Sequence, residues 1–172
     1  MFSYGDIMMV GDNMGYEKLT FTVIEQHGKI EVRQYDAYLI MKVNKPSNQG
    51  FSTLFNYISG GNTRHQKISM TVPVITDVSN KNYIAFTMPK TLRSDYPAPT
   101  DPNIQIIEMP AKTYLATTFK GNQRRYKKAL DALLSYAKAH HITLLDDPIM
   151  LRYQPPFLPW FLKRSDIIVE IN

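Results

Sequence analysis

Carboxylates, imidazoles and a proline-framed aromatic run are the residues in this chain whose types invite chemistry. Asp146 and Asp147 are adjacent. In an extended segment neighbours point to opposite faces, so the pair cannot flank one bond; just before Pro148 it reads as a solvated turn. Glu25, Glu31 and Glu108 fall in extended runs, with nothing in the sequence to pair any of them with a second carboxylate for acid–base work. His140 and His141 are neighbours at an expected helix end, where imidazoles complement terminal carbonyls. Serine and histidine occur without a nucleophile-elbow glycine pattern. The stretch "SGGN" (59–62) lacks the Lys-Ser/Thr that completes a phosphate loop. The chain has no cysteine, which excludes disulfides, thiolate metal sites and cysteine nucleophiles. An enzyme finds little support.

Binding is better supported. "PPFLPWFLKR" (155–164) strings Phe157, Leu158, Trp160, Phe161 and Leu162 around three prolines, ahead of Lys163 and Arg164. Proline fixes φ and withholds a backbone donor, so the stretch reads as a semi-rigid apolar loop that either plugs the core or walls a pocket. Phe51, Leu54, Phe55 and Ile58 recur at i, i+3, i+4 and i+7, a narrow helical face. Together these suit a cleft for a flat apolar ligand, with Lys163, Arg164, Arg64 or Lys67 at its rim to meet carboxylates. A tetrapyrrole combines an apolar disc with two propionates and fits that description. Core packing and loop anchoring is the competing account of the same residues.

The elements that must position these residues follow from periodicity. "TFTVIEQ" and "KIEVRQY" flank His27-Gly28, a hairpin turn, and "AYLIMKV" is a third extended run. Pro46, Ser47 and Asn48 signal a helix start, and Gly60-Gly61 its end. "KISMTVPVI" and "NYIAFTMP" are extended, and the proline-rich 94–103 is a loop. The order then recurs: "IQIIEMP" and "TYLATTF", a helix over 122–140, then "PIMLRYQ" and "DIIVEI". This predicts an α+β fold of duplicated β-α-β-β units, forming a distorted antiparallel sheet or open barrel with two helices packed against it. Residues 1–17 read as a flexible N-terminal tail. Residues 18–172 read as a single domain, with pseudo-repeats at about 20–93 and 104–172.

At 172 residues the chain suits one domain. Its formal charge of +5 could favour phosphate or nucleic acid. The densest cluster, Arg124, Arg125, Lys127 and Lys128, is more simply the solvated face of the second helix, and no nucleic-acid motif accompanies it. No run is long and apolar enough to span a membrane, and no basic region followed by an apolar core opens the chain. A cytoplasmic monomer is expected, without nucleic-acid partners.

Five stretches, in order, resemble the SOUL haem-binding family: "IEVRQYDAYLIMKV" (30–43), "GFSTLFNYISGGN" (50–62), "KISMTVPV" (67–74), "FTMPK" (86–90) and "RYQPPFLPWFLKRSDIIVEI" (152–171). The resemblance implies a duplicated β-α-β-β barrel, kin to effector-binding domains of bacterial regulators. It also implies a haem or porphyrin groove between the first helix and the apolar C-terminal loop. The cofactor-binding set is then Phe51, Leu54, Phe55, Ile58, Phe157, Leu158, Trp160, Lys163 and Arg164. Some relatives carry a histidine inside the Arg-x-Tyr motif; here that place is Gln34, and Ser52 and Asn56 stand at helix positions where others carry haem-facing groups. The implied haem is therefore held by apolar contact and propionate pairing, without a strong protein axial ligand. His65 is the spare imidazole and a weak candidate for the iron. The expected role is a carrier or buffer without chemistry of its own. The alternatives are an effector-binding or hydrolytic module for another small apolar molecule, or a protein-interaction module.

Overall fold

The computed structural model describes residues 15–79, 81–154 and 159–172. Phe157 and Leu158 lie outside the described residues, as do the side chain of Trp160 and residues 1–14 of the N-terminal segment. The fold is α+β, and its contacts group the chain into two units. A terminal unit joins Thr20–Asp36 to Ala111–Asn172; a central unit joins Gly15–Leu19 to Ala37–Pro110.

In the central unit, β1 (Glu17–Lys18) and β5 (Thr71–Val72) form a short parallel pair. The main sheet is antiparallel, with β4 (Tyr38–Val43), β6 (Val74–Asp77), β7 (Ile84–Thr87) and β8 (Ile104–Met109) in the order β6-β7-β4-β8. The single run expected over "KISMTVPVI" is divided at Pro73, which has no N–H to give a ladder. Helix α1 (Ser47–Ile58) starts a turn earlier than its first aromatic, behind Pro46, whose φ of −54° is already helical.

The terminal unit opens with the hairpin β2 (Phe21–His27) and β3 (Ile30–Tyr35), whose turn is Gly28-Lys29 rather than the expected His27-Gly28: His27 stays in the ladder opposite Ile30, and Gly28 takes the positive φ of 63°. With β9 (Lys112–Lys120), β10 (Ile149–Arg152) and β11 (Arg164–Ile171) it makes an antiparallel sheet in the order β2-β3-β9-β11-β10. Helix α2 (Gln123–Ala139) is capped by Asn122, whose side chain accepts from the Arg125 N–H.

Setting aside the two-residue β5, the central unit contains the run β4-α1-β6-β7 and the terminal unit the run β9-α2-β10-β11, and in each run the first strand pairs with the last. The outer partner is exchanged: β3 precedes β4 in the chain but pairs with β9, while β8 precedes β9 but pairs with β4. Helix α1 buries Gly50, Leu54, Tyr57 and Ile58. Its core cluster includes Leu39, Met41 and Val43 from β4, and Ile84 and Phe86 from β7. Burial of each large aliphatic contributes roughly 2 kcal/mol. Helix α2 buries Tyr126, Leu133 and Ala137.

Gly50 shows how close α1 lies to the sheet. A Cβ there would collide with Cγ2 of Ile84 and sit 3.1 Å from Cγ1 of Val43. Ile84 is β-branched and on a strand, so its methyl has little freedom to move. Gly50→Ala is therefore expected to destabilise by about 1–2 kcal/mol in urea unfolding, the clash outweighing the better helix propensity of alanine. In an Ile84→Ala background the same change should be neutral or stabilising. Equal costs in both backgrounds would refute the packing account.

Candidate functional site

Two features stand out, one in each unit. On the central unit, α1 turns its residues by roughly 100° each, so the four expected face residues divide. Leu54 and Ile58 belong to the core. Phe51 is partly buried and meets Phe86 edge-on, with centroids 5.2 Å apart. Phe55 is 51 % exposed and lies parallel to Phe51, with centroids 6.1 Å apart and planes 11° from each other. The outcome is an aromatic platform: one ring is anchored on the core and the next is offered to solvent.

The turn after α1 is built by Asn62, which is buried. Its Nδ2 donates to the carbonyls of Tyr57 (3.1 Å) and Gln66 (2.7 Å), and its Oδ1 accepts from the N–H groups of Arg64 and Gln66. That scaffold holds His65 exposed at φ 50°. Arg64 pairs with Asp95 on the surface, and Lys67 is exposed. Tyr57 donates to the carbonyl of Pro97 at 2.7 Å, and burial pushes its hydroxyl up to about 12.

On the terminal unit a buried polar cluster occupies one face of the sheet. Glu31, Arg33 and Tyr35 alternate along β3, so they share a face. Arg33 is 0 % exposed. Its Nη1 lies 2.7 Å from Oδ2 of Asp166, its Nε lies 2.7 Å from Oε2 of Glu31, and Phe21 covers the guanidinium at 4.3 Å. Asp166, also 0 % exposed, accepts in addition from Thr118 Oγ1 (2.7 Å) and the Tyr153 hydroxyl (3.1 Å). Burial alone would lower the Arg33 pKa, but Asp166, Tyr35 and Glu31 outweigh it and the guanidinium stays charged. Burial drives the hydroxyls of Tyr35 and Tyr153 well above their ordinary range.

Arg164 belongs to this cluster. It is buried, 3.6 Å from Asp166 and 5.1 Å from the centre of the Tyr153 ring. Lys163 is partly exposed, and its carbonyl accepts from the Gly121 N–H at 3.1 Å. Gln34 accepts from Thr113 Oγ1 at 2.7 Å.

Of the expected site residues, Phe51 and Phe55 are brought together as a surface, Leu54 and Ile58 support them from within, and Arg164 faces the buried carboxylate. The Arg33–Asp166 cluster lies outside the site that the sequence predicts. Its signal is charge at constant parity: Glu31-x-Arg33-x-Tyr35 on β3 and Arg164-x-Asp166 on β11.

Residues 16–170 match the SOUL heme-binding protein family, and the chain belongs to it. It is 26 % identical over 139 residues to Heme-binding protein 1 of Xenopus laevis, covering 71 % of this chain and 73 % of that one. Heme-binding protein 1 of Bos taurus is 24 % identical over 141 residues, covering 72 % and 74 %. Among solved structures, the EcmrR C-terminal domain shares the fold with a TM-score of 0.59 at 12 % identity, over 83 % of this chain and 96 % of that one. A hydrolase from Listeria innocua has a TM-score of 0.57 at 6 % identity, over 87 % and 94 %.

Removing one member of a buried ion pair strands the other. Asp166→Ala is expected to cost about 3–5 kcal/mol, and Arg33→Met with Asp166→Leu less than the two single changes added together. Additive costs in a double-mutant cycle would mean the two groups do not act on each other. The tyrosines add a pH dependence. An unfolded tyrosine ionises near about 10, whereas folded Tyr57 holds its proton to about 12. Above pH ~10 the folded state binds more protons, so stability falls as pH rises through that window and is unaffected below it. Tyr57→Phe should flatten the decline in melting temperature; an unchanged slope would contradict this.

Proposed function

We propose that the chain binds haem or a related tetrapyrrole as a carrier or buffer, without chemistry of its own. The observation that carries this reading is the Phe51–Phe55 platform, exposed yet anchored on the core, in a member of the SOUL family. A flat macrocycle gains most from a rigid aromatic surface, because little side-chain freedom is lost when it stacks there. Phe51 and Phe55 would hold the ring, and Lys67 and Arg64, in the same unit, would meet the propionates. Haem, when bound, supplies a redox-active iron. In this reading His65 does not hold that iron, and apolar contact carries the affinity, so iron-free porphyrins bind as well. The alternative of an effector-binding or hydrolytic module has a likeness of fold behind it, and fold does not assign function. The buried carboxylates of Glu31 and Asp166 are both engaged by Arg33, which leaves neither placed to act as a base.

The test is a haemin titration followed by Soret absorbance. Saturable binding is expected, weakened about tenfold by Phe55→Ala, with ferric and ferrous spectra indifferent to His65→Ala. Unsaturable uptake, or unchanged affinity in Phe55→Ala, would overturn the platform. A low-spin spectrum lost in His65→Ala would overturn the account of the iron.

A further inference from the structure

The basic run at the start of α2 is left unexplained by tetrapyrrole binding. Lys120, Arg124, Arg125, Lys127 and Lys128 are all exposed, and no acidic residue occurs between Lys112 and Asp131. The first turn of this helix contains no acidic residue and carries Arg124 and Arg125. Cations there oppose the helix dipole, so local stability does not account for the placement.

The terminal unit sets an apolar feature beside this run. The short 3-10 turn Trp160–Leu162 packs against β9, and the Lys163 carbonyl accepts from Gly121, in the turn between β9 and α2. Arg164 is paired with Lys120 across the two strands. Phe161 and Leu162, 57 % and 51 % exposed, therefore sit within a few residues of the turn from which the cationic helix departs.

We propose that this corner of the terminal unit docks on the surface of an anionic phospholipid bilayer. Phe161 and Leu162 would enter the boundary between headgroups and acyl chains, while Lys120, Lys163 and the exposed cations of α2 would lie on the phosphates. The charge complements an anionic surface, and the exposed leucine separates lipid from nucleic acid: leucine gains from a hydrocarbon boundary and has no ring to stack on a base. The docking needs no membrane-spanning segment and stands apart from the tetrapyrrole reading.

The test uses the full chain without haem. Co-sedimentation with mixed phosphatidylserine–phosphatidylcholine vesicles is expected, with none on phosphatidylcholine alone and release at high salt. Phe161→Ser with Leu162→Ser, and separately Arg124→Glu with Lys128→Glu, should each weaken binding by about tenfold or more. All four positions are exposed, and far-UV circular dichroism checks that the variants fold. Phe55→Ala, in the other unit, should bind vesicles like the wild type. Absence from the mixed vesicles, binding indifferent to both double variants, or tighter capture by a DNA oligomer at the same ionic strength would each overturn the proposal.

Discussion

A guanidinium with no solvent exposure must find every partner inside the protein, and the Arg33–Asp166 contact meets that demand in the terminal unit. The contact depends on the arrangement of strands: β9 lies between β3 and β11, and Asp166 stands opposite Thr118, which also accepts from Arg33 at 3.3 Å. A slip of one residue in any of these strands would turn its charged residue to the other face. That other face is where Phe119 meets Tyr126 of α2, with ring centroids 5.9 Å apart. A stranded charge there would cost several kcal/mol. Apolar burial against α2 drives the sheet together, and the ion pair selects its register.

The central unit is organised differently. Its helix is seated by close apolar packing, with Gly50 against Ile84 and Leu54 and Tyr57 fully buried. Because that contact fixes the helix about its own axis, it also decides which residues are left outside. Phe51 reaches the core and Phe55 does not. The aromatic surface is thus a consequence of packing beneath it, and it is carried on a helix rather than a loop, which fixes the backbone that bears the rings.

Much of this architecture was legible because its elements obey simple periods. The hairpin strands, though not the exact turn residues, and both helices could be read from alternation and helical spacing. The exchange of β3 and β8 could not, because local patterns do not say which distant strand a strand will pair with. The buried face of α1 lies slightly off the expected stripe. Phe51, Leu54, Phe55 and Ile58 look equivalent by spacing, but the buried arc is centred nearer Gly50 and Tyr57, and a glycine carries no hydrophobic weight in such a reading. On β3 the usual assumption fails outright: Glu31 and Arg33 resemble a solvent face, yet they are buried because Arg33 is met by Asp166 of β11 on one side and pairs with Glu31 on the other. The basic rim expected at Arg164 is drawn inward for the same reason.

The account's central claim is that a rigid aromatic surface on α1 receives a flat macrocycle without needing its iron. Amide and aromatic NMR spectra of the protein, titrated with iron-free protoporphyrin, test it directly, since a porphyrin ring current shifts only nearby nuclei. The account predicts saturable shifts concentrated on the rings of Phe51 and Phe55 and on the amides of Ser47–Ile58. Shifts confined to the terminal unit, or none at saturating porphyrin, would contradict it.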